Sequence, residues 1–170
     1  MKDNKVREIE FRGKDIKTKE WHYGSLVSKY DVDACLYCQY HILEKSEYSR
    51  SCDWDSDLVN VDFYKVDENT LGQFTGLCDN DGNKIYEGDV VKLTRINMYA
   101  PSASFNGKDL ISFHRVCWND EKHCFYQEHF DIEKKRVTGA GILCFEDERA
   151  EENIIEVIGN IYDNPELVKE

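Results

Sequence analysis

One stretch constrains the fold more than any other. It runs Gly72-Gln73-Phe74-Thr75-Gly76-Leu77-Cys78-Asp79-Asn80-Asp81-Gly82-Asn83-Lys84-Ile85-Tyr86-Glu87-Gly88-Asp89-Val90-Val91. Asp79 to Asn83 clusters the residues that favour a tight turn, and Gly82 is free to take a positive φ. Apolar residues flank the cluster on both sides, as in a β-hairpin. Glu87-Gly88-Asp89 forms a second turn that delivers the chain into Val90-Val91-Lys92-Leu93. The pattern is strand, turn, strand, turn, strand, and no catalytic signature lies in it.

The same punctuation extends along the chain. Arg7 to Arg12 alternates charged and apolar residues, the period of a half-buried strand with Ile9 and Phe11 inward. Gly13 to Lys19 is a polar turn, and Glu20 to Val27 is the return strand of an N-terminal hairpin. Asp31 to Leu43 fits a strand or a short helix, Ser46 to Asp57 a loop, and Leu58 to Val66 a strand. Asp67 to Thr70 is a turn or a short helical one. Residues 94–109 form a long loop with Pro101 and Gly107, before strands at 110–118 and 123–127 around a turn at Asn119 to Lys122. Gly139-Ala140-Gly141 precedes an apolar run at 142–145, and Glu146 to Asn153 is acidic enough to hold a helical turn. Ile154 to Tyr162 is the last strand, closed by a turn at Asp163 to Leu167. Short strands with turn signals between them predict a mainly β fold, a small barrel or roll with an N-terminal hairpin extension and long loops. The expected boundary falls near residue 65, separating an N-terminal hairpin and irregular region (1–65) from a barrel (66–170), unless the two form one continuous domain.

Composition narrows the setting. Of 170 residues, 41% are hydrophobic, enough for a real core, and the formal net charge is −12. Such a surface repels phosphate backbones, so direct duplex DNA binding through a basic face is not expected. No apolar run approaches a membrane span, and the charged N-terminus lacks the apolar core of a signal peptide. The cytoplasm is the expected compartment, where seven Cys, an odd number, are expected as reduced thiols.

Four segments carry a resemblance. They are Arg7 to Arg12, Trp21 to Leu26, Val66 through Leu77 to Ile85-Tyr86-Glu87-Gly88-Asp89-Val90-Val91, and Val157 to Leu167. Together they resemble the YopX family of phage and prophage proteins. The resemblance implies a β-rich fold related to SH3-type barrels, a phage origin, hence the host cytoplasm, and self-association as a homo-oligomer. It implies no activity.

Several motifs offer chemistry. Cys35-x-x-Cys38-x-x-His41, with Cys52 beyond, has the ligand types of a zinc site. A second short-spaced pair is missing, and other Cys sit in apolar strand contexts, so buried thiols are the favoured reading and no cofactor is assigned. Asp79-Asn80-Asp81-Gly82-Asn83 places oxygens as a calcium loop would, but Val90 stands where the twelfth-position Glu belongs. Glu87 and Asp89 flank a turn glycine and suit a solvated turn better than acid–base catalysis. Five His (His22, His41, His114, His123 and His129) and several Ser are present, but no Gly-x-Ser-x-Gly motif, Walker A loop or Gly-x-Gly-x-x-Gly occurs. The loop after Leu93 carries Arg95, Tyr99, Phe105 and Lys108 among small residues, aromatics to stack on a base and cations to meet a phosphate.

The expectation is a non-enzymatic phage accessory protein that binds and sequesters a host defence component, either a nucleotide-like signal or a host protein. The alternatives are an acidic DNA mimic that inhibits a nucleic-acid-binding host enzyme, with Glu146-Asp147-Glu148, Glu151-Glu152 and Glu156 as its densest patch, and an oligomeric assembly module.

Overall fold

A computed structural model describes residues 8–30, 38–45, 61–95, 110–131, 134, 136–143 and 153–168. Within them the chain is built almost wholly of antiparallel strands. It divides into two compact units, Met1–Phe74 and Thr75–Glu170.

The first unit is a meander. β1 (Phe11–Lys14) pairs with β2 (Trp21–Tyr30), β2 with β3 (Cys38–Lys45), and β3 with β4 (Val61–Lys65). The N-terminal hairpin expected from the alternating sequence is present. Ile9, however, is 64% exposed rather than inward, because pairing with β2 begins only at Phe11. Between β1 and β2 the Asp15 carboxylate accepts the amides of Lys17 and Thr18, which closes the turn and holds that carboxyl below the usual range. Gly13 is required by packing: a Cβ there would lie 2.9 Å from that of Val66. Asp67 caps a single 3-10 turn, Glu68–Thr70, by accepting from the Asn69 amide. The open choice at Asp31 to Leu43 resolves as strand over Cys38–Lys45, while residues 31–37 lie outside the described residues.

β5 (Gly72–Cys78) then leads into the second unit, where β6 (Lys84–Tyr86) returns through the expected Asp79–Asn83 turn. Gly82 has φ +85° there. β7 (Asp89–Arg95) enters a five-stranded sheet that continues with β8 (Leu110–Asn119), β9 (Cys124–Asp131), β10 (Arg136–Ile142) and β11 (Asn153–Asn160), in the order β10-β9-β8-β7-β11. Ile85 of β6, together with Val91 and Val116 of this sheet, forms the buried core of the second unit, with Leu143, Ile155 and Val157 packed against them. Gly88 has φ +85°, and a Cβ would come within 2.9 Å of the Tyr162 ring, so this turn needs glycine twice over.

The mainly β expectation holds, but the barrel does not. The strands form two open antiparallel sheets, and the larger runs β4-β3-β2-β1-β5-β6. Sequential antiparallel pairing satisfies each strand without requiring the sheet to curl back on itself, so turn spacing fixes the strands and leaves closure undetermined.

Candidate functional site

Directly paired residues of an antiparallel sheet share a face. In the second unit Val91 pairs with His114 and His114 with His129; Leu93 pairs with Ser112, and Val116 with Gln127. Arg95 and Leu93 are two residues apart on β7, so Arg95 belongs to the same face. That face therefore carries the apolar core at Val91 and Val116 and, beside it, a run of polar side chains: Arg95, Ser112, His114, Gln127 and His129.

His114 is the centre of the run. It is fully buried, at 0% exposure. Its Nε2 shares a hydrogen bond with the Ser112 hydroxyl at 2.8 Å, and the His129 ring meets it edge-on with centroids 4.3 Å apart. Burial pushes the imidazole down to about 4, and the neighbouring charges of His129 and Arg95 push the same way. His114 is therefore neutral at physiological pH. Its Nδ1 is buried and has no hydrogen-bond partner among the described residues. The same holds for Oε1 of Gln127, a residue 7% exposed. A buried polar atom without a partner costs about 1–3 kcal/mol, so the two on this face call for an ordered water or a bound group. A cavity of about 340 Å³ borders the cluster at Ser112 and His129; it is otherwise lined by Ile111, Phe113, Phe130, Asp131 and Thr138, of which Ile111, Phe113 and Phe130 alternate with the cluster and belong to the other face. The volume lies within the range of small-ligand sites, about 300–1,000 Å³.

The sequence singled out one member of this cluster. Arg95 closes β7, and its charge reaches His114. Tyr99, Phe105 and Lys108, expected beside it, lie outside the described residues. Ser112, His114, Gln127 and His129 were not assigned a site, although a signal was present. On β8 Ser112 and His114 alternate with the apolar Ile111 and Phe113, the period of a strand face, whereas on β9 the charged Glu128 stands between Gln127 and His129 and masks it.

The remaining motifs separate. Of the zinc candidates, Cys35 and Cys52 lie outside the described residues, while Cys38 opens β3 and His41 pairs with Val27 and Lys65. Among the described residues no group of three or more His, Cys, Asp or Glu is placed to hold a metal ion. The Asp79 carboxylate is turned to protein donors: it accepts the amides of Asp81, Asn83 and Val157 and the Asn83 side chain, at 2.8–3.2 Å. Asp89 departs from the solvated turn expected of it; it is 1% exposed and accepts the Tyr86 amide at 2.7 Å, because the turn packs into the core. In the acidic segment only Glu156 is described, and it pairs with Lys92 Nζ at 2.6 Å.

In the first unit His22 stacks on Tyr64 with centroids 3.5 Å apart, and its Nδ1 lies 3.0 Å from Glu44 Oε1. Glu44 also accepts the Tyr23 amide at 3.0 Å, so this trio ties β2, β3 and β4 together.

These features define the chain as a two-sheet antiparallel β protein with a polar, partly unsatisfied cluster beside the core of its second unit. It belongs to the YopX family, whose profile, described as YopX protein, matches residues 10–169. No curated protein matches the chain. Among solved structures, that of protein EF1440 from Enterococcus faecalis is similar at 20% identity, over 95% of this chain and 99% of that one, with a TM-score of 0.46. Among the described residues no helix is long and apolar enough to cross a membrane.

Proposed function

We propose that the protein is a non-enzymatic phage accessory protein that binds a nucleotide-like ligand at the Arg95–Ser112–His114–His129 cluster, and so sequesters a signal of host defence. The observation that carries the reading is the buried His114 Nδ1, unpartnered among the described residues, on a face shared with a cationic guanidinium and a hydroxyl. A neutral imidazole and an amide oxygen suit the donor and acceptor edge of a base, and Arg95 suits a phosphate. The phage setting is what membership of the YopX family implies.

Catalysis fits the cluster less well. A serine nucleophile needs an imidazole of near-neutral pKa held by a third group. Here the pKa lies at about 4. No carboxylate meets Nδ1 among the described residues.

Titration calorimetry with ADP, GMP and inorganic phosphate tests the reading. ADP or GMP is expected to bind, and Arg95→Gln to weaken binding by about tenfold to a hundredfold, the loss of one charge-assisted contact. Binding of neither nucleotide would overturn it. The net charge of −12 supports a second reading, an acidic face laid over a basic, nucleic-acid-binding host protein.

A further inference from the structure

We infer that the open edge of β2 beyond Gly24 is a docking slot for an extended basic peptide, which adds to it there as a further strand. The inference stands apart from the nucleotide reading, since the slot lies in the first unit and the His114 cluster in the second.

β2 is an inner strand for only part of its length. Its pairing with β1 runs from Trp21 to Gly24 and ends at Phe11, and residues 8–10 are not strand. Its pairing with β3 begins at Ser25, opposite Leu43, and continues to Tyr30, opposite Cys38. In antiparallel sheets the main-chain groups point alternately to the two sides of a strand. The Tyr40 carbonyl accepts the Val66 amide, so Tyr40 faces β4 and its neighbours Gln39 and His41 face β2. There they meet Lys29 and Val27, as Leu43 meets Ser25. Leu26 and Ser28 therefore turn their N–H and C=O groups away from β3, toward the side that β1 has left. No strand among the described residues pairs with them on that side. An edge of this kind is a template for another strand.

Room and charge decide what fits. Where residues 8–10 part from β2 they leave a cavity of about 430 Å³, lined by Glu8, Ile9 and Glu10 together with Tyr23, Leu43 and Glu44 of β2 and β3. Ile9 is 64% exposed and Tyr23 44%. Three carboxylates line the cavity, and among the described residues no Lys or Arg does. In strand addition the main chain supplies affinity and the side chains beside it choose the partner. Here the acids select Lys or Arg, and Ile9, Tyr23 and Leu43 receive the apolar stems of those side chains. Phosphate-bearing partners are repelled by the same three carboxylates. A strand laid along Ser25 to Tyr30 spans about 20 Å, so a hexapeptide covers the edge.

The test is fluorescence anisotropy of a labelled hexapeptide alternating Arg and Val, titrated with the full chain. Saturable binding is expected, with Kd below about 100 μM. The fully N-methylated peptide keeps its charge and loses its main-chain donors, while a Glu-Val counterpart keeps the donors and reverses the charge. Each is expected to bind at least about tenfold more weakly. Ser28 is exposed, and Ser28→Pro removes an N–H that no described strand uses. It is expected to fold and to lose about tenfold in affinity. Glu8→Gln is expected to lose about threefold, and Glu166→Gln, an exposed acid of the second unit, to bind as wild type does. If Ser28→Pro fails to fold, Glu8→Gln and the N-methylated peptide carry the test. Absence of binding, or equal binding of the N-methylated peptide, would overturn the slot. So would an equal loss in Glu166→Gln, which assigns the attraction to surface charge at large. A wild-type dimer in sedimentation that Ser28→Pro dissociates would overturn it in favour of a second copy of the chain. None of these outcomes bears on the His114 cluster.

Discussion

His114 couples the candidate site to stability. Its imidazole has an ordinary value of 6.5 and is pushed by burial to about 4 in the fold. Between those values the unfolded chain takes up a proton that the folded chain refuses. The stability involved is intact above pH 6.5 and is lost as pH falls toward 4. At 1.36 kcal/mol per pH unit this is about 3 kcal/mol. Urea unfolding at pH 7 and at pH 4 is expected to show that share in the wild type and its absence in His114→Gln. Equal pH sensitivity in both chains would mean that His114 takes up its proton without unfolding. The residue was visible in the sequence only as one His among five. Its burial depends on which strands lie beside β8, and no local pattern states that. Arg95 was found because it stands beside an obvious loop, but its companions on the face come from β8 and β9, and pairing brings them together.

Elements were more legible than contacts. The hairpin of β1 and β2, the turn from Asp79 to Asn83 and the return strands β8 and β9 follow the alternation and turn residues closely. β10 did not: the sequence marked only an apolar run at 142–145 after Gly139-Ala140-Gly141, whereas pairing with β9 carries the strand across both glycines. Sheet closure was misjudged for a related reason: it depends on long-range pairing, and periodicity is local. The Asp79 turn shows how one side chain supplies what the pattern omits. Its carboxylate joins the turn between β5 and β6 to β11 through the Val157 amide at 3.2 Å. Burial acts to raise that carboxyl, but donors from Asn83, Val157 and Asp81 outweigh it and hold it below the usual range. Asp79→Ala strips the acceptor from three amides at once and is expected to cost about 2–4 kcal/mol in urea unfolding. Asp79→Asn keeps an oxygen and is expected to recover part of that. A loss under about 0.5 kcal/mol for Asp79→Ala would show the network to be replaceable by water.

At the scale of the whole molecule, the −12 charge separates the two binding readings by their response to salt. Duplex DNA carries a dense phosphate charge, and a protein of this sign gains no counterion release from it. Mobility shift with duplex DNA is therefore expected to show no complex at about 10 μM protein, even in low salt, where electrostatics are least screened. A basic host protein would behave oppositely. Its attraction to the acidic surface acts over a Debye length, about 30 Å at 0.01 M salt and about 8 Å at 0.15 M. Capture through that surface should then weaken steeply across this range. A nucleotide held by Arg95 beside the buried His114 meets its charge partner at contact distance, inside the screening length under both conditions. Its affinity should change by less than about tenfold over the same interval. Titration of ADP at the two salt concentrations decides between them. A shallow dependence with saturable binding supports the cluster on β7, β8 and β9. A chain that ignores ADP but captures a basic partner only at low salt places function on the acidic exterior, and leaves the unsatisfied atoms of His114 and Gln127 to ordered water.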